Sequence, residues 1–145
     1  MLHGPPGVGK TAIAEAYANE ANLDLVEMNA SDFRSAARID EVLGRSVMQA
    51  SLLGRPRLFL IDEIDGLAGR EDSGGVDAIM KLLKGSRYPV VLVANNAYDP
   101  KLRGLRYASE LVSLRKLALP DLVNRLEQVC TIEGVQADRE LLRLI

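Results

Sequence analysis

The sequence predicts an α/β fold in which a parallel β-sheet is flanked by helices. Short apolar runs alternate along the chain with segments whose apolar residues recur at helical spacing. Two of these runs, Leu58–Ile61 and Val90–Ala94, are apolar at every position, which is typical of strands buried on both faces. Because strands of this kind are separated by helical segments, we expect parallel pairing with helices on either side of the sheet.

The first part of the chain is predicted to contain a strand, a helix and a second strand. Met1–His3 is a short apolar run that ends at Gly4. A helix then covers Lys10–Ala21, and Leu23–Met28 follows as a strand. We expect the helix to bury one face, formed by Ile13, Ala14, Tyr17 and Ala21.

A glycine-rich segment separates two further predicted helices. This segment, Gly66–Gly75, is polar and is expected to be a mobile loop. Another strand is possible at Glu110–Leu114. The two helices are predicted to bury the apolar faces formed by Ile39, Val42, Leu43, Val47 and Ala50, and by Val76, Ile79, Met80 and Leu83.

A change in pattern near residue 119 predicts a domain boundary, with an α/β core at 1–119 and the start of a helical domain at 120–145. Pro120 is placed to open a helix, and Gly134 stands where a C-terminal cap belongs. Met1–His3 is short for a central strand, and the apolar residues of a last helix have no later segment to pack against. We therefore expect a piece of a longer protein, incomplete at both ends.

Composition excludes several classes of protein. The 145 residues carry a net charge of −2, with 48% apolar and 26% charged residues, as in an ordinary globular domain. Cys130 is the one cysteine, so the chain forms neither an internal disulfide nor a multi-cysteine zinc site. The apolar runs are far shorter than the ~18 residues of a membrane span. We expect a soluble intracellular protein without a membrane partner.

The residues after the first apolar run match the G-x-x-x-x-G-K-[ST] pattern of a phosphate-binding loop. Its glycines allow successive backbone N–H groups to point inward at phosphate oxygens, and the following helix directs its positive end to the same place. The lysine supplies a mobile cation, and the threonine hydroxyl is a ligand for Mg²⁺. The predicted nucleotide-binding residues are Gly4, Pro5, Pro6, Gly7, Val8, Gly9, Lys10 and Thr11.

Carboxylates directly follow the buried strand Leu58–Ile61. Asp62, at the strand tip, is suited to hold Mg²⁺ beside Thr11, either directly or through water. Glu63 is then placed to orient and polarise the water that attacks the γ-phosphate, which a hydrolase requires and a simple binding protein does not. Asp65 is expected to be a solvated residue of an acidic loop.

One amide completes the predicted catalytic group. Asn95 follows Val90–Ala94, at the sheet edge where ligands of open α/β sheets bind. Its side chain is suited to hydrogen-bond the γ-phosphate or the attacking water.

In combination, these motifs resemble the AAA+ branch of the P-loop ATPases, with Walker A at Gly4–Thr11, Walker B at Leu58–Glu63 and sensor 1 at Asn95. Leu25–Arg34 resembles the "ELNASD-x-R" stretch of replication factor C clamp loaders. The segment from Asp62 to Gly75 is similar to "DEVDG…EDRGG" of the archaeal large subunits, whose "ILTAND" resembles Val91-Leu92-Val93-Ala94-Asn95-Asn96.

The resemblance implies an ATPase that uses ATP and Mg²⁺ and works with clamp-loader small subunits, a sliding clamp and primer–template DNA. It also implies a nucleoid-associated protein in the cytoplasm of a prokaryotic-type cell, and identifies the second domain as a lid. Asn29 matches a position that restrains the catalytic glutamate, and Leu52 and Leu53 match a stretch that touches the clamp, although core packing explains them equally well. The residues that could face DNA, unless they are simply solvated, are Arg34, Arg38, Lys81 and Lys84.

One departure concerns the arginine that small subunits place before the last core strand to reach a neighbour's ATP. Tyr107-Ala108-Ser109 stands at that position, as in a large subunit that completes no neighbouring site. Arg103 and Arg106 are close enough to serve as a shifted finger, although surface arginines explain them more simply.

His3 is expected only to pack. Two other functions stay open: another AAA+ machine, such as a helicase or remodelling ATPase, and a non-hydrolysing interaction module.

Overall fold

Parallel strand pairing organises the α/β part of the structure, as the sequence predicts. The computed structural model describes residues 1–30, 55–68 and 73–144. Within them, five strands form one sheet of order β2-β3-β4-β1-β5, and every pairing between neighbours is parallel. The strands are β1 (Leu2–His3), β2 (Asp24–Asn29), β3 (Arg57–Asp62), β4 (Val90–Ala94) and β5 (Val112–Ser113).

Helices connect the strands and continue beyond the sheet. The α-helices in the described ranges are α1 (Lys10–Glu20), α2 (Ser73–Gly85), α3 (Arg103–Tyr107), α4 (Leu119–Ile132) and α5 (Arg139–Leu142). Short 3-10 helices occupy Ile64–Ala68 and Pro100–Leu102. The chain divides into two compact units, Met1–Leu114 and Arg115–Ile145. In the ranges described, each helix is too short or too polar to cross a bilayer.

The two faces of the sheet are covered by different side chains. One face packs Leu60 and Val93 with Ala14 of α1. On the other face, Phe59, Ile61 and Leu92 join a larger cluster that includes Ile79 and Leu82 of α2. Because successive residues of a strand point to opposite faces, the continuous apolar run of β3 supplies both layers at once.

The predicted buried face of α1 is right at Ala14 and wrong at Ile13, Tyr17 and Ala21. Ile13 and Tyr17 are 44% and 54% exposed, whereas Ala14 and Ala18 are buried with Lys10. Positions 10, 14 and 18 lie at intervals of four along one stripe of the helix, and two of them are small. The alanines let the helix backbone approach the sheet closely, and this close approach turns the larger side chains outward.

The described parts of the glycine-rich segment, residues 66–68 and 73–75, are helical, whereas residues 69–72 lie outside the described residues. Ile64–Ala68 forms a 3-10 helix, and α2 already begins at Ser73, so that Gly74 and Gly75 are helical rather than part of a mobile loop. The possible strand at Glu110–Leu114 is reduced to two residues, Val112 and Ser113. The predicted helix face at residues 39–50 lies outside the described residues.

The second unit contains the two helices expected after Pro120. Pro120 occupies the first turn of α4, and Gly134 adopts φ 68° just after its end, where the N–H of Val135 donates to the carbonyl of Cys130 at 2.8 Å. This is the left-handed termination that glycine permits. Asp138 caps α5 by accepting a hydrogen bond from the backbone N–H of Glu140 at 2.9 Å.

Strand β1 continues into a turn that only glycine fits. The N–H of Leu114 donates to the carbonyl of His3 at 2.8 Å, which brings the end of β5 against Gly4. Gly4 has φ +150°, and a Cβ at this position would lie 2.2 Å from the carbonyl oxygen of Leu114. The first residue of the phosphate loop is therefore in direct contact with backbone that no side-chain rotation can move.

We expect Gly4→Ala to lower the free energy of unfolding by about 2 kcal/mol or more, since the added methyl must displace backbone as well as adopt an unfavourable φ. Gly74→Ala is the matched control. Gly74 is helical with open space around its Cα, and its replacement should be neutral or stabilising by about 0.5–1 kcal/mol. Chemical denaturation of the two variants measures the difference, and equal stabilities would contradict the steric argument.

Candidate functional site

The predicted site residues converge at the carboxyl edge of the sheet. In the register of the sheet, His3 of β1 is paired with Ala94 of β4, so Gly4 and Asn95 leave the sheet side by side. Asp62 ends the strand on the other side of β4. Since all strands run in the same direction, the loops that follow β1, β3 and β4 open at one edge, as ligand sites of parallel sheets do.

The loop between β1 and α1 has the curled backbone expected of a phosphate cradle. Gly7 and Gly9 adopt left-handed conformations, with φ 76° and 88°, and nothing lies near a Cβ at either position. Gly9 is the N-terminal cap of α1, and the first turn of that helix contains no acidic residue. The positive end of the helix is therefore available to an anion at this loop.

The ammonium group of Lys10 is buried inside the loop and fully hydrogen-bonded. Its side chain donates to the carbonyl oxygens of Gly4 and Pro5 at 2.9 and 2.8 Å, and to Oδ1 of Asn95 at 3.0 Å. An ammonium has three N–H donors, and this arrangement uses all of them. A charged group with 8% exposure needs such partners, because burial of an unpaired charge is costly.

Thr11 and Asp62 lie together at the start of α1. The Thr11 hydroxyl donates to Oδ2 of Asp62 at 2.7 Å, and Oδ1 of Asp62 accepts from the backbone N–H of Glu63 at 2.7 Å. A hydroxyl and a carboxylate side by side are hard oxygen donors of the kind that Mg²⁺ prefers. The pair therefore fits the ion that the sequence predicts here.

Glu63 is held by a neighbouring amide. Nδ2 of Asn29, at the end of β2, donates to Oε2 of Glu63 at 3.0 Å. Glu63 also adopts φ 56°, a left-handed conformation that is unfavourable for a residue with a Cβ. The backbone turn directs this exposed carboxylate away from the line of β3 and toward the end of β2.

Asp65 is the site residue that the sequence interpretation missed. It is half-buried in the 3-10 helix, and its two carboxylate oxygens accept from the backbone N–H and Nδ2 of Asn95 at 3.0 and 3.1 Å. The expectation of a solvated loop residue is therefore wrong. The usable signal was position: an acid one tight turn beyond a strand end is within reach of the neighbouring strand's end.

Aromatic and basic side chains from the segment after β4 pack against one another, and His3 of β1 joins them. His3 is buried and packs edge to face on Tyr98, with the ring centroids 5.6 Å apart, in keeping with its predicted packing role. Arg106 stacks between Tyr98 and Tyr107, at 5.2 and 5.6 Å from the two ring centres, and Arg103 lies 5.6 Å from the Tyr107 ring. That this chain donates no arginine finger to a neighbouring ATP site stays a prediction.

The structure describes only some of the residues predicted to contact DNA or the clamp. Lys81 and Lys84 are exposed on α2, which leaves both compatible with a solvated face or with a nucleic-acid partner. Arg34, Arg38, Leu52 and Leu53 lie outside the described residues, so their proposed contacts with DNA and clamp stay predictions.

Comparison with known proteins decides the family. The family model described as "ATPase family associated with various cellular activities (AAA)" matches residues 1–112. The chain belongs to the AAA family of ATPases. The sheet order and the loop geometry at Gly4–Thr11 are those of a nucleotide-binding α/β domain, which agrees with this membership.

More specific similarity is to proteins named replication factor C large subunit. The chain is 45% identical to the replication factor C large subunit of Pyrobaculum arsenaticum over 146 residues, which cover all of this chain and 35% of the relative. It is 43% identical to the large subunit of Staphylothermus marinus and 41% identical to that of Aeropyrum pernix, again over the whole chain and over 34% and 30% of the relatives. The chain therefore spans about a third of the length of the curated relatives it matches.

The backbone of Glu63 generates a prediction about stability. At an ordinary position glycine is less stable than alanine by about 0.5–1 kcal/mol, but a left-handed conformation removes the steric preference for alanine. We expect Glu63→Gly to be at least as stable as Glu63→Ala.

The control is Glu15, which is exposed in the middle of α1. There, Glu15→Gly should be less stable than Glu15→Ala by about 1 kcal/mol. Denaturant midpoints of the four variants measure both differences. A Glu63 pair that behaves like the Glu15 pair would show that no strain is stored at Glu63.

Proposed function

We propose that this chain is the nucleotide-binding part of a clamp-loader ATPase subunit, which uses ATP binding and hydrolysis to open a sliding clamp and load it onto primer–template DNA. The observation that carries the proposal is the joint placement of Lys10, Thr11, Asp62 and Glu63 at one sheet edge. The name of the relatives, replication factor C large subunit, supports the clamp-loader role over the length that this chain spans.

Binding would exchange internal partners of Lys10 for phosphate oxygens. The ammonium now donates to the carbonyls of Gly4 and Pro5, which are neutral acceptors. Anionic phosphate oxygens make stronger, charge-assisted hydrogen bonds and are cradled at the same time by the loop N–H groups. The positive end of α1 adds to this attraction. Together these groups favour the β- and γ-phosphates of ATP.

Thr11 and Asp62 would hold the Mg²⁺ that accompanies ATP. When bound, the ion neutralises charge on the β- and γ-phosphate oxygens. The contribution of the protein is to keep the hydroxyl and the carboxylate adjacent, through their 2.7 Å hydrogen bond and through the backbone N–H of Glu63 on the other carboxylate oxygen.

Glu63 would orient and polarise the attacking water, and Asn95 would hydrogen-bond that water or the γ-phosphate. Glu63 is exposed, so its carboxylate is available as an acceptor for a water proton. In this structure Nδ2 of Asn29 occupies one of its oxygens. We therefore propose that Asn29 regulates hydrolysis by holding Glu63 away from the water until a partner binds.

The proposed assembly contains clamp-loader small subunits, the clamp and primed DNA, in a prokaryotic-type cytoplasm. An AAA+ helicase or remodelling ATPase is a weaker alternative, because the replication factor C similarity extends over the whole chain. A non-hydrolysing interaction module is weaker still, since a pure binding site does not require a carboxylate at position 63.

ATP turnover by the full-length protein, assembled with its partner subunits, tests the proposal. We expect turnover to rise when the clamp and primed DNA are both present, and clamps to become linked to circular primed DNA. Strand separation in place of clamp loading would favour the helicase, whereas the absence of turnover under all conditions would favour the interaction module.

Substitution of Lys10 and substitution of Glu63 should impair different steps, ATP binding in the first case and hydrolysis in the second. Lys10→Ala should weaken ATP binding at least about tenfold, since the triphosphate loses its mobile cation. Glu63→Gln should retain affinity within about twofold and lose about a hundredfold or more in kcat, because the amide keeps the shape but is a poor acceptor for a proton. Titration with a fluorescent ATP analogue, combined with steady-state turnover, separates the two effects. Equal losses of affinity in both variants would contradict this division of roles.

Removal of the restraint on Glu63 should raise unstimulated turnover. In Asn29→Ala the carboxylate loses the amide donor 3.0 Å away, and we expect turnover without clamp or DNA to increase about three- to tenfold, with less further stimulation. Asn19→Ala, which alters an exposed asparagine of α1, is the matched control and should leave the ratio of stimulated to basal turnover unchanged. Basal turnover that stays at the wild-type level in Asn29→Ala would argue against a restraining role.

A further inference from the structure

Asp65 and Asn95 form a paired contact between two loops of the site. Asp65 follows β3 and Asn95 follows β4, and thirty residues separate them in sequence. One carboxylate oxygen accepts the backbone N–H of Asn95 at 3.0 Å, and the other accepts its side-chain Nδ2 at 3.1 Å. The first hydrogen bond fixes the backbone position of Asn95, and the second fixes the rotation of its side-chain amide.

The chemistry of the two partners leaves one orientation for this amide. A carboxylate only accepts hydrogen bonds and an ammonium only donates them. Asn95 lies between one of each: its Nδ2 faces Asp65, and its Oδ1 accepts from Lys10 at 3.0 Å. Rotation of the amide by 180° would place oxygen against oxygen and N–H against N–H, so both contacts oppose it.

The orientation determines what Asn95 offers a bound nucleotide. With one Nδ2 hydrogen on Asp65, the second hydrogen and the Oδ1 lone pairs are the groups that remain for the site. Oδ1 is an acceptor suited to a water proton or to Lys10, and the remaining N–H is a donor suited to a phosphate oxygen. An amide that is free to rotate would present these two groups in either order.

We propose that Asp65 is a positioning residue for hydrolysis, which acts by locking the rotation of the Asn95 amide. This inference rests on the proposed ATPase function and adds to it a residue that touches neither nucleotide nor water. Asp65 lies in the same tight turn as Glu63. This turn is closed by the N–H of Gly66, which donates to the carbonyl of Glu63 at 2.8 Å. The turn thus links Glu63, the carboxylate proposed to polarise water, to Asp65, the residue that orients the Asn95 amide.

The kinetic test uses the full-length protein in its assembled complex. We expect Asp65→Ala to lower kcat about tenfold while KM for ATP stays within about twofold, since the lost contact orients rather than binds. Asn95→Ala should lower kcat at least as far. The double variant should be no slower than Asn95→Ala, because Asp65 acts only through that amide. Additive losses, an unchanged kcat in Asp65→Ala, or a parallel loss of ATP affinity would each overturn the inference.

A matched control separates positioning from simple loop stability. Asp99 also accepts a backbone N–H, that of Lys101 at 2.8 Å, at the start of the next 3-10 helix. Asp99→Ala therefore removes a comparable carboxylate and capping contact without touching Asn95, and we expect its kcat to stay within about twofold of wild type. A loss equal to that of Asp65→Ala would show that any cap in this region matters, and would overturn the specific role.

A structural readout keeps the test independent of turnover. Asp65→Asn has nearly the same size but has an NH2 donor in place of one acceptor oxygen, so it cannot repeat the paired contact in which each oxygen accepts from one nitrogen of Asn95. In a crystal structure of the nucleotide-free Asp65→Asn protein, we expect the Asn95 side chain to have left its hydrogen bond with Lys10. An Asn95 amide in its present position would overturn the inference. A wild-type complex that shows no turnover, together with a displaced amide in Asp65→Asn, would contradict the proposed function and leave the positioning contact supported.

Discussion

The buried ammonium of Lys10 is the interaction on which the arrangement of the site depends. A cation at 8% exposure must have acceptors for its three N–H groups, and it finds them in two carbonyls of its own loop and in Oδ1 of Asn95. The first two contacts require the backbone of residues 4 and 5 to turn its carbonyls inward. The third brings the loop after β4 against the loop after β1. One charge therefore holds the inward curl of the phosphate loop and ties that loop to Asn95.

Strand order makes this arrangement possible. Strand β1 is inserted between β4 and β5, so the phosphate loop emerges beside Asn95 on one side and against Leu114 on the other. The close contact of Gly4 with the Leu114 carbonyl leaves no room for a Cβ. The position of the loop is thus set by backbone hydrogen bonds of the sheet and by the contact of Gly4 with the Leu114 carbonyl.

Motifs made of adjacent residues can be recognised in the sequence, whereas contacts that depend on folded neighbours cannot. The spacing Gly4–Thr11 and the carboxylates after β3 predict the nucleotide site and the family, because both motifs are defined by adjacent residues, and the match to the AAA family model confirms the family. The buried face of α1 is predicted correctly at Ala14 but wrongly at Ile13 and Tyr17, since periodicity favours these larger residues, whereas packing against the sheet also selects the small Ala18. Asp65 was missed for a related reason: its partner is thirty residues away, on a strand whose adjacency to β3 only the folded sheet reveals.

The segment after β3 directs three nearby acids to three different neighbours. Strand β3 lies between β2 and β4, with α1 packed on one face. From its end, Asp62 contacts Thr11 of α1, Glu63 contacts Asn29 at the end of β2, and Asp65 contacts Asn95 at the end of β4. Each carboxylate thus has a hydroxyl or amide donor from a different neighbouring element, and the left-handed turn at Glu63 separates their directions. The roles proposed for these acids are therefore linked through four consecutive residues: a movement of β2 relative to β3 changes the contact of Glu63, and a movement of β4 changes that of Asp65.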